Sequence, residues 1–189
     1  MSYDSWGLNV WAERRAHAAS ELTAPMLTGS GNWLPYGNGR SYGDSCHNDD
    51  GVLIDSRRAN QIISFDPESG DLTCEAGILL SDVLAFALPR GFFLPVTPGT
   101  RFVTVGGAIA NDVHGKNHHV RGTFGEHVSG LTLLRSDQGL LECTADNNGK
   151  LFSATIGGMG LTGLITKATI RLMKVGAPHV GLRTLRFDN

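Results

Sequence analysis

The sequence predicts an α+β fold built from small sheets and few helices. Short apolar and β-branched runs recur along the chain with turn residues between them, and only two segments show a helical pattern. The order is strands, a helix, more strands and a second helix, with hairpins among the connections. This order favours an α+β fold over a doubly wound parallel sheet.

The first group of strands is predicted between residues 51 and 76. Residues 51–55, 62–65 and 72–76 are short apolar runs, and the sequence Asp-Pro-Glu-Ser-Gly at 66–70 is a strong turn signal. We interpret these runs as a meander of small strands.

The two helices are predicted from their end signals. Ser81 is a suitable N-cap for a helix that runs through Leu88, with Asp82 in its first turn and Pro89 and Gly91 at its end. A second short helix is expected through residues 151–154, capped by Asp146 or Asn147.

The C-terminal half carries the clearest strand signals. Residues 131–134 and 140–143 flank a turn at 136–139 and predict a hairpin. In the last strand Ala168, Ile170 and Leu172 alternate with polar residues, which predicts one buried face.

The N-terminal region and the composition give weaker information. Residues 1–34 show little pattern, so we expect Trp6, Trp11 and Trp33 to anchor them and residues 29–32 to form a turn. There is no secretory signal pattern and no run near the ~20 apolar residues that span a bilayer. Three widely spaced cysteines and a net charge of −2 predict a cytoplasmic protein that does not bind nucleic acid.

Two glycine-rich stretches are the candidates for a ligand site. Residues 35–45 contain three glycines and the cation Arg40, and residues 98–119 contain Gly106, Gly107 and a loop bearing histidine and lysine. Glycine lacks a Cβ, so its backbone can approach a ligand closely and turn N–H groups toward an anion. The sequence therefore predicts that both stretches converge on one pyrophosphate.

Other glycine motifs fit their usual functions poorly. Residues 158–163 match the dinucleotide pattern G-x-G-x-x-G, but that pattern must follow a strand and open a helix, whereas here a strand follows. We interpret it as a tight turn between a helix and a strand. The pair Gly115-Lys116 lacks the rest of a P-loop.

Several side chains also have plain structural explanations. His114 and His118 are four residues apart, but Gly115 and Asn117 interrupt a helix and no third ligand is evident, so we predict no metal site. For Lys116, the alternative to a role in a site is a surface ion pair with Asp112. Cys46 is interpreted as a small buried side chain.

Five segments together carry a family resemblance. They read Gly-Asn-Gly-Arg-Ser-Tyr-Gly-Asp at 37–44, Pro-Gly-Thr-Arg at 98–101, Val-Thr-Val-Gly-Gly-Ala-Ile-Ala at 103–110, His-Gly-Lys-Asn-His-His at 114–119 and Gly-Leu-Thr-Gly at 160–163. From about residue 34 to 172, the chain resembles the PCMH-type FAD-binding domain of the vanillyl-alcohol-oxidase superfamily. Within it, the decaprenylphosphoryl-ribose 2′-oxidase branch is the most similar.

The resemblance implies a two-lobed domain with small mixed or antiparallel sheets and FAD between the lobes. We expect an N-terminal extension at 1–33, lobes of about 34–92 and 93–175, and at 176–189 the start of a connection to a substrate domain that the sequence lacks. The cofactor-binding residues that the resemblance implies are Pro35, Tyr36, Gly37, Asn38, Gly39, Arg40, Ser41, Tyr42, Gly43, Asp44, Ser45, Gly99, Thr104, Val105, Gly106, Gly107, Asn111, Asp112, Val113, His114 and Ile165.

The chemistry implied by the resemblance is oxidation of a secondary alcohol of a sugar, with hydride transfer to the flavin. Tyr42, His114 and Lys116 would face flavin and substrate, Lys116 stabilising charge and the other two positioning the substrate or moving a proton. Several relatives attach FAD covalently through a histidine where this chain has Arg40, so we expect noncovalent FAD.

The motif around His114 indicates the substrate branch. Sugar lactone and alditol oxidases tend to carry His-Gly-Ser-Gly where this chain has His-Gly-Lys-Asn, which favours a polyprenyl-phosphoryl-ribose substrate. Two alternatives remain: the flavin domain of an aldonolactone or alditol oxidase, and an FAD-binding module that is inactive without a C-terminal domain.

Overall fold

A computed structural model describes residues 3–8, 15–28, 31–177, 179 and 181–187. The strands are β1 (Arg15–Ala18), β2 (Trp33–Tyr36), β3 (Val52–Asp55), β4 (Ile62–Phe65), β5 (Asp71–Glu75), β6 (Phe92–Phe93), β7 (Val128–Arg135), β8 (Gly139–Cys143), β9 (Leu164–Arg171) and β10 (Met173–Lys174). The α-helices in this part are α1 (Leu80–Ala87), α2 (Val105–Ala110), α3 (His118–Arg121) and α4 (Gly149–Thr155). Short helices and several small sheets confirm the predicted α+β class.

A small parallel sheet forms the N-terminal part of the fold. Its order is β1-β3-β2, and β3 pairs in parallel with both neighbours. The predicted meander is therefore wrong for β3, because this strand pairs with β1 and β2 instead of the β4–β5 hairpin. The pairing needs β1, which lies in a region that shows no strand pattern.

A five-stranded antiparallel sheet, in the order β4-β5-β9-β7-β8, forms the rest. The hairpin of β7 and β8 and the alternating strand β9 confirm the predictions for this half. Helices α1 and α2 pack on the sheet, and the main apolar core lies between them. The two larger sheets divide the chain between β3 and β4. The lobes expected at about 34–92 and 93–175 stay a prediction.

Helix α1 begins earlier than predicted. It starts at Leu80 after extended Leu79, and the Ser81 hydroxyl contacts Asp82 instead of capping the helix. Burial of Leu80 and Val83 fixes the start, so packing overrides the cap signal. The end is as expected, because Gly91 takes a left-handed conformation after the turn at Leu88–Arg90.

Helix α4 shows a similar shift. It begins at Gly149 after Asn148, which has a φ of 55°, so neither Asp146 nor Asn147 is its N-cap. The side chains of Asn147 and Asn148 instead donate to the carbonyl oxygen of Glu142. These bonds fasten the loop to the end of β8.

The tryptophan side chains that were predicted to anchor the N-terminal region differ in exposure. Trp33 is half-buried in β2, but Trp6 is 56% exposed and does not anchor a core. Trp11 and the first half of the turn at 29–32 lie outside the described residues. Every helix in the described ranges is too short or too polar to cross a bilayer.

Candidate functional site

A groove of three adjoining cavities runs between the two sheets. The outer cavity includes Tyr42, Gly99 and His114, the central cavity lies between residues 35–41 and α2, and the rear cavity is walled by Trp33 and residues 134–137. Ser45 and Met159 line all three cavities. The two glycine-rich stretches therefore meet at one groove, as the sequence predicts.

Residues 37–45, which we call the first glycine loop, leave β2 and contact the N-terminal end of α2. A Cβ on Gly37 would lie only 2.5 Å from the Oγ1 atom of Thr104. The Asn38 side chain donates to the Phe102 carbonyl oxygen at 2.8 Å. Glycine at position 37 is thus required for close packing of the loop against Thr104.

The first glycine loop presents unpaired backbone donors. In the described part of the chain, no N–H group from Gly37 to Gly43 donates to another protein group. Gly39 and Gly43 have positive φ values of 60° and 64°, which glycine adopts without strain. A run of unpaired N–H groups beside a cavity, with Arg40 among them, is suited to an anion.

The second stretch does not present its amides in the same way. The N–H of Gly106 donates to the Ala76 carbonyl at 2.7 Å, and the N–H of Gly107 donates to Thr104 Oγ1 at 3.1 Å. These two donors are already used within the protein. Gly106 is needed because a Cβ would lie 3.0 Å from the Ala76 Cβ, so the expectation that its N–H grips a phosphate is wrong.

The outer cavity brings together two of the three predicted catalytic side chains. Tyr42 is 86% exposed, and His114 is also exposed, with its ring centroid 5.4 Å from that of His118. Lys116 is exposed but does not line the cavity. Its loop is held by Asn117, whose side chain donates to the Pro95 carbonyl at 3.0 Å.

Asp112 has a structural contact of its own. Its Oδ1 accepts the Gly125 N–H at 2.9 Å, which ties the turn after α2 to the segment before β7. Among the described residues, Lys116 forms no ion pair with Asp112, so the alternative of a surface pairing is not supported. The described residues also contain no group of three or more side chains that could hold a metal ion.

Most predicted cofactor residues border the groove. Those that line the central or outer cavity are Pro35, Tyr36, Gly37, Asn38, Gly39, Arg40, Ser41, Tyr42, Ser45, Gly99, Thr104, Gly106, Gly107, Asn111, Val113, His114 and Ile165. Five of the predicted residues, all within the described ranges, line none of the three cavities: Gly43, Asp44, Val105, Asp112 and Lys116. Val105 belongs to the core, where it is fully buried.

Some lining residues were missed by the sequence reasoning. Met159 and Gly160 lie in the turn before β9, and the Met159 N–H donates to the Ala110 carbonyl at 2.7 Å. The glycines at 158–163 gave a signal for this turn, which does connect a helix to a strand. The turn closes one wall of the groove because it is bonded to α2.

A polar and aromatic cluster lies at the start of the first glycine loop. Arg57 forms an ion pair with Asp55 at 2.6 Å and lies over the rings of Tyr3 and Tyr36. Burial alone would raise the pKa of Asp55, but the hydrogen bonds from Arg57 outweigh it and hold that pKa below its ordinary value.

Tyr36 connects this cluster to the N-terminal segment. Burial raises the pKa of Tyr36 to about 12, so its hydroxyl is a stable donor to the Asp4 carbonyl at 2.7 Å. The cluster thereby fixes the start of the first glycine loop.

The groove defines the class of protein. Unpaired amides at a narrow cavity that adjoins two larger cavities form a site for an elongated ligand with an anionic part, such as a dinucleotide. The family described as "FAD binding domain" matches residues 30–144, which is more than half of the chain. The chain belongs to this family.

Three curated relatives illustrate the range of the family. Decaprenylphosphoryl-beta-D-ribose oxidase of Mycolicibacterium smegmatis is 47% identical over 80% of this chain and 33% of the relative. L-gulonolactone oxidase of Mus musculus is 33% identical over 65% of this chain and 28% of the relative. D-lactate dehydrogenase of Anaerostipes hadrus is 27% identical over 65% of this chain and 27% of the relative. The chain thus spans about a third of the length of the relatives it matches.

Proposed function

We propose that this chain is the cofactor-binding part of an FAD-dependent oxidoreductase that oxidises a secondary alcohol of a sugar. The observation that carries the proposal is the row of unpaired amides from Gly37 to Gly43 beside a groove, in a chain of the FAD-binding family. These amides suit the diphosphate of FAD, since hydrogen bonds to a charged acceptor contribute about 1.5–3 kcal/mol each.

The proposed reaction places the isoalloxazine ring at the outer cavity. When bound, FAD supplies the acceptor for the hydride that leaves the alcohol carbon. The hydroxyl proton must pass to a base, and the carbon becomes a ketone. His114 and Tyr42 are proposed to accept this proton or to orient the hydroxyl, because both residues line the outer cavity.

Lys116 is proposed to stabilise negative charge near the substrate. Its side chain is exposed on the same loop as His114, and it has no ion pair within the described ranges. A Lys116→Met variant should therefore bind FAD as the parent does and lose substrate-dependent reduction. An unchanged reduction rate in the enzyme that contains the further domain would contradict this role.

Noncovalent attachment of FAD is part of the proposal. Arg40 borders the central and outer cavities, and a guanidinium group does not form the bond through which a histidine holds flavin. Acid precipitation of the loaded protein should release all of the yellow colour into the supernatant. Flavin that remains with the precipitate would contradict the noncovalent assignment.

The proposed substrate is a polyprenyl-phosphoryl-ribose. The motif His-Gly-Lys-Asn at 114–117 and the 47% identity to a decaprenylphosphoryl-beta-D-ribose oxidase support this choice. The 33% identity to an L-gulonolactone oxidase favours a lactone or alditol oxidase as second candidate. Anaerobic bleaching of the flavin by a ribosyl phosphate analogue, but not by a gulonolactone or an alditol, would decide for the first.

The module would be inactive without the region that the relatives have in addition, so bleaching is to be tested with a chain extended to the relatives' length. A cytoplasmic location is supported by Cys74 and Cys143, which are buried and form no disulfide.

A further inference from the structure

Met159 lies where the three cavities of the groove meet, since it borders each of them. It is 49% exposed. An exposure this large includes the side chain, because the backbone makes up only a small part of the surface of a methionine. A ligand that extends from one cavity into the next therefore passes the Met159 side chain.

The backbone holds Met159 in place without help from its side chain. Its φ of 52° is left-handed, which is uncommon for a residue other than glycine, and its N–H donates to the Ala110 carbonyl at 2.7 Å. Gly157 also has a positive φ, of 73°, and its N–H donates to the Ile109 carbonyl at 3.0 Å. Backbone bonds to α2 thus fix the turn, and a chemical change at the Met159 sulfur leaves these bonds intact.

The thioether is the group of Met159 that can react. Hydrogen peroxide converts a methionine thioether to a sulfoxide, and methionine sulfoxide reductases reverse the change. The sulfur lone pair forms a bond to one peroxide oxygen while the O–O bond breaks. The proton of the transferred oxygen passes to the departing hydroxide, which leaves as water, so sulfur loses two electrons and peroxide gains them. The product is polar, whereas the thioether is apolar.

Two other oxidisable side chains serve for comparison. Met26, in the short helix Ala24–Thr28, is 43% exposed, which is close to the value for Met159, but it borders none of the three cavities. Cys46 borders the central cavity but is only 9% exposed. Met159 thus combines the exposure of Met26 with a place in the groove.

We propose that Met159 is a site of oxidation by hydrogen peroxide, and that its sulfoxide weakens the binding of FAD in the groove. The inference rests on the proposed function, which identifies the ligand as FAD. FAD that covers position 159 takes the sulfoxide oxygen out of water, and a buried acceptor without a donor is costly. The N–H of Met159 itself is not available as that donor, because it is bonded to Ala110.

The test compares FAD affinity before and after the ligand-free chain is treated with hydrogen peroxide. Peptide masses show which methionines have gained an oxygen, and treatment continues until Met26 is oxidised. The affinity of the parent should fall about 10-fold, as should that of Met26→Leu, and a methionine sulfoxide reductase should restore both. Met159→Leu has no thioether at the groove and a similar volume, so its own affinity should be the same before and after treatment.

A second measurement asks whether FAD covers the sulfur. Bound FAD should slow the oxidation of Met159 and leave that of Met26 unchanged. The urea midpoint of the ligand-free chain should fall no further in the parent than in Met159→Leu after the same treatment, which separates binding from folding.

Four results would overturn the inference. They are an unmodified Met159 beside an oxidised Met26, an oxidised Met159 with unchanged FAD affinity, equal oxidation of Met159 with and without FAD, and an equal loss of affinity in Met159→Leu. The last of these would assign the loss to another side chain, such as Cys46. A parent chain that binds no FAD before treatment would instead refute the proposed function.

Discussion

Thr104 joins the first glycine loop to α2 through one side chain. It is 1% exposed, its Oγ1 caps α2 by accepting the Gly107 N–H at 3.1 Å, and its side chain packs against Gly37. The cap and the close packing both depend on the same oxygen. Changes at Thr104 should therefore affect the helix and the loop together.

Replacement of Thr104 tests the cap. Thr104→Val keeps the shape and removes the acceptor, and it should lower the free energy of unfolding by about 1–2 kcal/mol. Thr104→Ser keeps the oxygen and should lose less than half of that. Urea unfolding of the three proteins measures the difference, and equal stabilities of the valine and serine variants would show that the cap contributes nothing.

The Asp55–Arg57 pair gives a prediction with a pH dependence. The pKa of Asp55 is held below its ordinary value, so the pair stabilises the fold above about pH 4, and this stability is lost as the pH falls through the lowered pKa. Arg57→Met should lower the free energy of unfolding by about 2 kcal/mol at pH 7, less than for a fully buried pair because Arg57 is partly exposed. The deficit should shrink at pH 3, because this pH lies below the ordinary pKa of an aspartate and the unfolded chain already binds a proton there.

The exposed pair of Arg171 and Asp71 is the matched control. Its 2.9 Å contact lies at the surface, where the Arg171 side chain is 59% exposed. Arg171→Met should therefore lower the free energy of unfolding at pH 7 by much less than Arg57→Met does. A deficit for Arg57→Met that is the same at pH 7 and pH 3 would show that charge pairing is not its cause.

At the scale of elements, the first glycine loop and α2 form one packed unit. Gly37→Ala would place a Cβ 2.5 Å from Thr104 Oγ1, so it should lower the free energy of unfolding by about 1–3 kcal/mol. In a Thr104→Ala background the same change should cost less than half as much, because the clashing atoms are gone.

Gly99 provides the control for this comparison of single and double variants. A Cβ at Gly99 would have no protein atom within 4 Å, so Gly99→Ala should leave stability within about 0.5 kcal/mol in either background. Urea unfolding of the single and double variants gives the coupling energy. A coupling energy near zero would mean that the loop and the helix respond independently.

The sequence predicted the elements whose signals are local. The hairpin of β7 and β8 and the alternation in β9 follow from side-chain periodicity, and both were confirmed. Helix α2 could not be predicted, because its two glycines have poor helix propensity and the Thr104 cap and a buried face hold it. Likewise, β1 forms because β3 offers it a partner, which local sequence does not reveal.

The sequence predicted which segments border the candidate site better than it predicted the hydrogen bonds of individual residues. The glycine content at 37–45 indicated an open loop, and its unpaired amides agree with that. Glycine content alone could not predict that the N–H groups of Gly106 and Gly107 donate to other groups of the protein. Close packing and close approach of a ligand both require glycine, so the two cases look the same in the sequence.

At the scale of the molecule, the groove is bounded by both sheets. Residues from β2 and the first glycine loop form one side, and Gly160, Gly163 and Ile165 at the start of β9 form the other. FAD at about 100 times its dissociation constant should raise the free energy of unfolding by ~2.7 kcal/mol.

Hydrogen exchange shows whether both sheets share this stabilisation. Amides of β2 and of β9 should both exchange more slowly with FAD, since each sheet supplies one wall. Protection of only one strand would mean that the ligand contacts a single sheet.

The place of β9 in the large sheet has a consequence for synthesis on the ribosome. This strand lies between β5 and β7, although it follows the other four strands of that sheet in the sequence. The parallel sheet of β1, β2 and β3 has all its strands once residue 55 has emerged, but β5 lacks its inner neighbour until residue 171 is made. Nascent chains should therefore acquire the flavin only near the end of translation of this region, when the second wall closes.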